Sequence, residues 1–110
     1  MVSRRIYTKY KVLVHSLGLK QIDIYRVQAG GKEGRRLTDV VRVMDPASNK
    51  VAVIDLGTVR EALSYTAFLD KLLEGLEKAG IKVSERRIQV ARRKAEELDK
   101  RAVATAEGSG

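Results

Sequence analysis

Apolar and polar residues alternate along the first half of the chain. In residues 5–14 the even positions are apolar or neutral, whereas the odd positions carry two lysines and a tyrosine, and a histidine follows. Because successive side chains of a strand point to opposite faces, this pattern predicts a strand with one core face and one cationic face. Segments 21–28, 37–45 and 50–56 predict three further strands, and 29–36 a mobile, glycine-rich surface loop. Their short connections indicate an antiparallel meander.

After residue 57 the apolar positions recur at helical spacing. Thr58 and Glu61 have the spacing of a capping box and Gly80 is a natural stop, so a helix is predicted over 58–79. Ser84 can cap a second helix over 84–104, in which apolar residues alternate at spacings of three and four. That seam either packs back on the first helix or pairs with a second copy, and we predict a homodimer or higher homo-oligomer. The seam consists of Ile88, Ala91, Ala95, Leu98 and Ala102.

The predicted elements define an α+β fold. We expect a four-stranded antiparallel sheet packed by one helix, followed by a C-terminal zipper-like helix. At 110 residues the chain has the length of one domain. We assign residues 1–83 to the α+β core, 84–105 to the assembly helix and 106–110 to a disordered tail.

The distribution of charge indicates the kind of partner that the protein binds. The chain has a net charge of +8, and residues 1–36 alone contain nine Lys or Arg against two acids. Such an excess predicts attraction to a polyanion, of which nucleic acid, an anionic membrane and an acidic protein are the candidates. The 33% content of charged residues is typical of a thermophilic protein.

Composition also excludes several classes of protein. The absence of cysteine excludes disulfides, thiol catalysis and thiolate metal sites. We find neither a signal peptide nor an apolar run of about 18 residues that could span a membrane, so we expect a cytoplasmic protein. The second helix has mainly alanine opposite its cations, which disfavours a role at a membrane surface.

Catalytic chemistry has weak support. The single histidine, His15, lacks a spaced acidic partner, and the glycines of segment 29–34 do not have P-loop spacing. Asp39, Asp45 and Asp55 fall on strands or at their ends, where solvated carboxylates are the ordinary interpretation. We therefore predict no enzyme activity, no cofactor and no metal.

Two basic features favour nucleic-acid binding. The cationic face of the first strand, joined by Tyr25 and by the cations of the glycine-rich loop, could stack bases while holding phosphates, which favours single strands. The second feature is the acid-free stretch 86–94, whose arginines gain nothing from the helix dipole. The predicted nucleic-acid-binding residues are Arg4, Arg5, Tyr7, Lys9, Lys11, His15, Tyr25, Lys32, Arg35, Arg36, Arg86 and Arg87.

Four alternatives stay open. The protein could bind RNA or the ribosome, since nothing in the pattern reads the 2′-OH. It could place helix 86–94 in a duplex groove in the manner of a chromatin protein. It could be an interaction module for an acidic protein, or the cations could simply solvate the outer face of a half-buried sheet.

The stretch "RRIYTKYKVLVH", the order of elements and the seam from Ile88 to Leu98 also support a family resemblance. Over roughly residues 4–105 the chain resembles the ThermoDBP-related family of archaeal single-stranded DNA-binding proteins. The resemblance implies sequence-independent binding of single strands, assembly through the C-terminal helices, and a cleft lined by cations from more than one subunit.

Overall fold

The chain forms an α+β structure with a three-stranded antiparallel sheet and two long helices. The computed structural model describes residues 10–31 and 34–108, with side chains for residues 10–28 and 36–102. The elements are α1 (Lys11–Ser16), β1 (Lys20–Gly31), β2 (Gly34–Met44), β3 (Val51–Asp55), a 3-10 turn (Arg60–Ala62), α2 (Tyr65–Lys78) and α3 (Glu85–Gly108).

The strands lie in the order β1-β2-β3, and their register separates two faces. Cross-strand partners point to the same side, so Ile24, Val41 and Ile54 share the face that packs on the helices. The opposite face, which we call the open sheet face, includes Tyr25, Arg42 and Val53. The last three predicted strands are confirmed.

The first predicted strand is wrong where the structure describes it, because Lys11–Ser16 is helical. Tyr10, Leu13, Val14 and Leu17 are all buried, at the spacing of one helix face. The Tyr10 ring stacks on Phe68 with centroids 3.9 Å apart. The sequence around Tyr10 fits both the alternation of a strand and the spacing of a helix face, and long-range packing decides for the helix.

The glycine-rich segment 29–36 is mostly strand. Pairing continues to Gly31 and Gly34, so the loop prediction is wrong for residues 29–31 and 34–36, and Lys32 and Glu33 lie outside the described residues. The next connection is a turn at residues 46–48. It is held by Asp45, whose side chain accepts hydrogen bonds from the Ala47 amide and the Ser48 hydroxyl.

α2 begins seven residues later than predicted. Residues 60–62 form a 3-10 turn instead of a first helical turn, and Ser64 is the true cap, accepting from the Ala67 amide at 3.1 Å. Asp99 of α3 also accepts hydrogen bonds from the Tyr65 and Thr66 amides, placing a carboxylate at the positive end of the α2 dipole. Gly80 ends the helix with φ +74°, as predicted.

The zipper-like seam is part of the core of its own chain. Ala91 and Ala95 are completely buried, and Ile88 and Leu98 pack against the same core cluster. Ser84 caps α3 as predicted, accepting from the Arg87 amide. The prediction that this seam pairs with a second copy therefore needs correction. α3 packs against α1 and α2 of its own chain, and only Ala102 of the five seam residues is exposed.

Candidate nucleic-acid interface

The predicted binding residues do not share one face. Arg4, Arg5, Tyr7, Lys9 and Lys32 lie outside the described residues, as does the side chain of Arg35, whose backbone pairs with Gly30 on β1. Among the others, Lys11 and His15 are exposed on α1, whereas Tyr25 is exposed on the open sheet face.

The structure instead brings α1 and the beginning of α3 together. Gly18, which ends α1 with φ +79°, lies directly under the Arg87 guanidinium, and a Cβ at position 18 would overlap that group. α1 and α3 are also in direct contact. Gly18 and Arg87 are 69 residues apart in sequence, so two distant segments contribute cations to one surface.

The contacts of α3 with α2 show which side of α3 faces α1. Arg92 pairs with Asp70 of α2, and Asp99 caps α2, so this flank of α3 faces α2. At 3.6 residues per turn, Arg87 and Lys94 fall on the other flank, beside α1, and Arg86 and Arg93 form a second stripe next to them. We call Lys11, His15, Arg86, Arg87, Arg93 and Lys94 the α1–α3 cationic surface.

The charge of this surface is uncompensated. Neither residues 10–20 nor residues 86–95 contain an acid. Within the described part of the chain, none of its lysines and arginines forms an ion pair, whereas Arg26, Arg42, Arg60 and Arg92 all do. Adjacent uncompensated cations raise the local positive potential and attract phosphate groups.

The open sheet face has a different character. Tyr25 is 40% exposed, and the Arg42 guanidinium lies 5.9 Å from the centre of its ring. Arg42 is also paired with Asp23, and this hydrogen bond holds the pKa of the Asp23 carboxyl below its ordinary value. Val51 and Val53 are exposed on the same face, so this surface is apolar and aromatic with few net charges.

Lys20 connects the two regions. It lies two residues after Gly18, pairs with Met44 on the open face, and its side chain is exposed. Tyr25 is five residues further along β1, about 17 Å away at a rise of about 3.3 Å per residue. Arg36 is exposed on the same face and donates a hydrogen bond to the Gly57 carbonyl at 2.8 Å.

Sequence reasoning missed a buried ion-pair network. Asp39 is completely buried and accepts hydrogen bonds from both Arg26 and Arg60, while Arg26 also contacts Glu61. The solvated interpretation is thus wrong for Asp39, whereas Asp55 is exposed. A usable signal existed: a hairpin register that sets Gly31 opposite Gly34 also sets Arg26 opposite Asp39 on the core face.

Other kinds of site have no geometric support here. Across residues 10–31 and 34–108, no group of three His, Cys, Asp or Glu side chains is arranged to hold a metal ion. None of the helices in the same ranges contains a stretch that is both long and apolar enough to cross a bilayer.

Comparison with known proteins adds no assignment. No protein-family model matches the sequence, and no curated protein or solved structure matches the chain. What the protein does is therefore inferred from its own residues.

Proposed function

We propose that the protein binds single-stranded DNA without sequence selectivity and without catalysis, holding phosphates on the α1–α3 cationic surface. The observation that carries this proposal is the contact of Arg87 with Gly18. It joins two acid-free segments into one surface whose lysines and arginines lack ion-pair partners in the described part of the chain. Contacts to phosphate do not depend on base identity, which accounts for the absence of sequence selectivity.

The position of Tyr25 favours single strands. A strand held on the α1–α3 cationic surface reaches Tyr25 by passing Lys20 and turning onto the open sheet face. A flexible single strand can follow that path over about 17 Å, whereas a duplex has a persistence length of about 50 nm and cannot. An exposed tyrosine ring can stack on an unpaired base of any sequence. RNA is accepted by the same chemistry.

Duplex DNA is the second candidate ligand. The observation that favours it is the outward stripe of Arg86 and Arg93, which is exposed along one side of a long helix. A helix of this kind can lie along a groove or against the backbone of a duplex. Such binding would not involve Tyr25.

The test is fluorescence anisotropy with single-stranded DNA, the matched duplex and single-stranded RNA. The first variant combines Arg86→Glu with Arg87→Glu, and its control combines Lys71→Glu with Lys78→Glu, which changes the net charge equally on the far side of α2. The second variant is Tyr25→Leu, and its control is Tyr25→Phe, which keeps the ring.

We expect the arginine variant to lose most of its affinity and its lysine control to lose little. We expect Tyr25→Leu to lower single-strand affinity about tenfold, because stacking contributes about 1–3 kcal/mol per base, while Tyr25→Phe binds as the parent does. A parent that prefers duplex, with no effect of Tyr25→Leu, would establish the second candidate instead. Equal losses in the arginine variant and its control would mean generic attraction to a basic protein.

A further inference from the structure

β3 is an edge strand whose outer side has no partner in the described part of the chain. It pairs only with β2, over Val40–Met44. Its side chains alternate, with Ala52 and Ile54 buried, and Val51 and Val53 exposed by 48% and 62%. An edge strand presents a row of backbone amide and carbonyl groups that can pair with another strand.

The two edges of the sheet differ in how they are protected. β1, the other edge strand, is interrupted by a bulge between Gln21 and Asp23 and carries several charges. Bulges and charges are devices that prevent edge-to-edge pairing. β3 contains no bulge, no proline and no charge between Val51 and Ile54. The β3 edge is therefore the one open to pairing.

The charge around β3 is balanced, in contrast to the α1–α3 cationic surface. The groove between β3 and α2 is lined by Lys71, Lys78, Glu74 and Asp55, two cations and two acids. Two copies of a chain with a net charge of +8 repel each other at most contacts, and a neutral surface reduces that cost. β3 also follows Lys50 and ends at Asp55, so the antiparallel approach of a second β3 brings the basic end of one strand near the acidic end of the other.

We propose that two copies of the chain associate by antiparallel pairing of their β3 strands about a twofold axis at Val53. With the axis at Val53, Val53 lies opposite the partner's Val53 and Ala52 opposite the partner's Ile54, so cross-strand neighbours point to the same face. This register joins the two core faces and produces one continuous six-stranded sheet. The interface leaves Tyr25 and the α1–α3 cationic surface of each copy free.

The interface is small. Five paired residues and the adjoining side of α2 bury less than the roughly 1,200–2,000 Å² of a standard stable complex. We therefore expect a dimer that forms at high protein concentration and dissociates on dilution.

The first measurement is sedimentation equilibrium over a wide concentration range, with Val53→Lys as the variant and Val90→Lys as its control. Both valines are exposed, by 62% and 53%, so neither change is expected to unfold the chain. Like charges placed directly opposite each other destabilise a strand pair, so Val53→Lys should raise the dissociation constant at least tenfold. Val90→Lys should leave it unchanged.

The second measurement uses the absence of cysteine in the chain. Directly opposed residues have Cβ atoms about 4.5–5.5 Å apart, so Val53→Cys should give a covalent dimer under mild oxidation, and Val90→Cys should not. A chain that is monomeric at all concentrations, a dimer that Val53→Lys does not weaken, or equal cross-linking of the two variants would each overturn the proposal. If Val53→Lys has no effect or cross-linking is equal, the chains associate through another face. If the chain is always monomeric, the β3 edge is free or pairs with a strand of a different protein.

Discussion

Asp39 is completely buried and extensively hydrogen-bonded. Its two carboxylate oxygens accept five hydrogen bonds, of which the shortest, 2.7 Å, comes from the Arg60 amide. Burial by itself raises the pKa of the Asp39 carboxyl, but the hydrogen bonds from Arg26 and Arg60 outweigh burial and hold that pKa well below its ordinary value. Asp39 is therefore a charged residue inside the fold, and it joins β1, β2 and the 3-10 turn.

Asp39→Asn should lower the free energy of unfolding by about 3–5 kcal/mol. The change removes the negative charge that compensates two guanidinium groups, one of them almost fully buried, and loss of one partner of a buried pair is costly. Urea denaturation at neutral pH measures this loss. Asp23→Asn is the matched control, because its partly exposed pair with Arg42 should contribute no more than about 1 kcal/mol. Equal losses in the two variants would contradict the role given to Asp39.

The same pairing predicts a dependence of stability on pH. An aspartate in the unfolded chain has a pKa of about 3.9. The pKa of Asp39 is lower in the folded chain, so the unfolded chain binds the proton more readily. The contribution of Asp39 is complete above about pH 5 and is lost as the pH falls further. Unfolding free energies measured between pH 7 and pH 3 should fall less steeply in Asp39→Asn than in the parent. A parallel fall in both proteins would exclude Asp39 as a source of the acid sensitivity.

At the scale of elements, packing between distant segments decides the outcome. The hydroxyl of Tyr10 contacts the backbone carbonyls of Arg60 and Leu63, 50 and 53 residues away along the chain, and burial raises the pKa of that phenol. These contacts, together with the ring of Phe68, support α1. α2 and β3 also approach each other closely, at Gly75 of α2 and Ile54 of β3.

Gly75→Ala should destabilise the protein although alanine favours helices. A Cβ at this position would lie 2.5 Å from Cγ1 of Ile54, and such overpacking costs about 1–3 kcal/mol against a gain of about 1 kcal/mol in helix propensity. Chemical denaturation of the two single variants and of the double variant with Ile54→Ala measures the coupling. We expect Gly75→Ala to cost less in the Ile54→Ala background, and strict additivity would show that the two side chains do not collide.

Local pattern predicts the elements better than it predicts their partners. Three strands, both long helices, the Ser84 cap and the Gly80 stop follow from periodicity and capping chemistry, which act within a few residues. α1 does not, because the stretch around Tyr10 fits both a strand and a helix, and only Phe68 and the 3-10 turn decide between them. The α1–α3 cationic surface was equally hidden, since Arg87 meets Gly18 only after the chain has folded.

At the scale of the whole molecule, charge is unevenly distributed. Uncompensated cations collect where α1 meets α3, whereas the groove between β3 and α2 is lined by two acids and two bases. The distribution separates the surface proposed for nucleic acid from the edge proposed for self-association. A dimer of this kind would therefore present two separate binding surfaces.

Neutralising Arg86 and Arg87 should change the salt dependence of DNA binding. Each phosphate contact on a single strand contributes about 0.7 to the slope of log affinity against log salt. The combined change Arg86→Gln and Arg87→Gln should therefore reduce that slope by about 1.4. Anisotropy titrations at several salt concentrations give the slopes, with Lys71→Gln and Lys78→Gln as a control of equal charge. If the arginine variant has the same slope as the parent and the control, Arg86 and Arg87 do not contact phosphates.

The small size of α1 has a consequence for how folding and binding are connected. A helix of six residues does not persist in water by itself, so α1 exists only while Tyr10, Leu13, Val14 and Leu17 are seated in the core. The cationic surface proposed for nucleic acid includes α1, so a chain that has lost this docking presents only part of it. Under the proposed function a bound strand stabilises the docked state by mass action, and the melting temperature rises with the concentration of DNA. The ligand would thereby act as a thermal stabiliser of the protein that holds it.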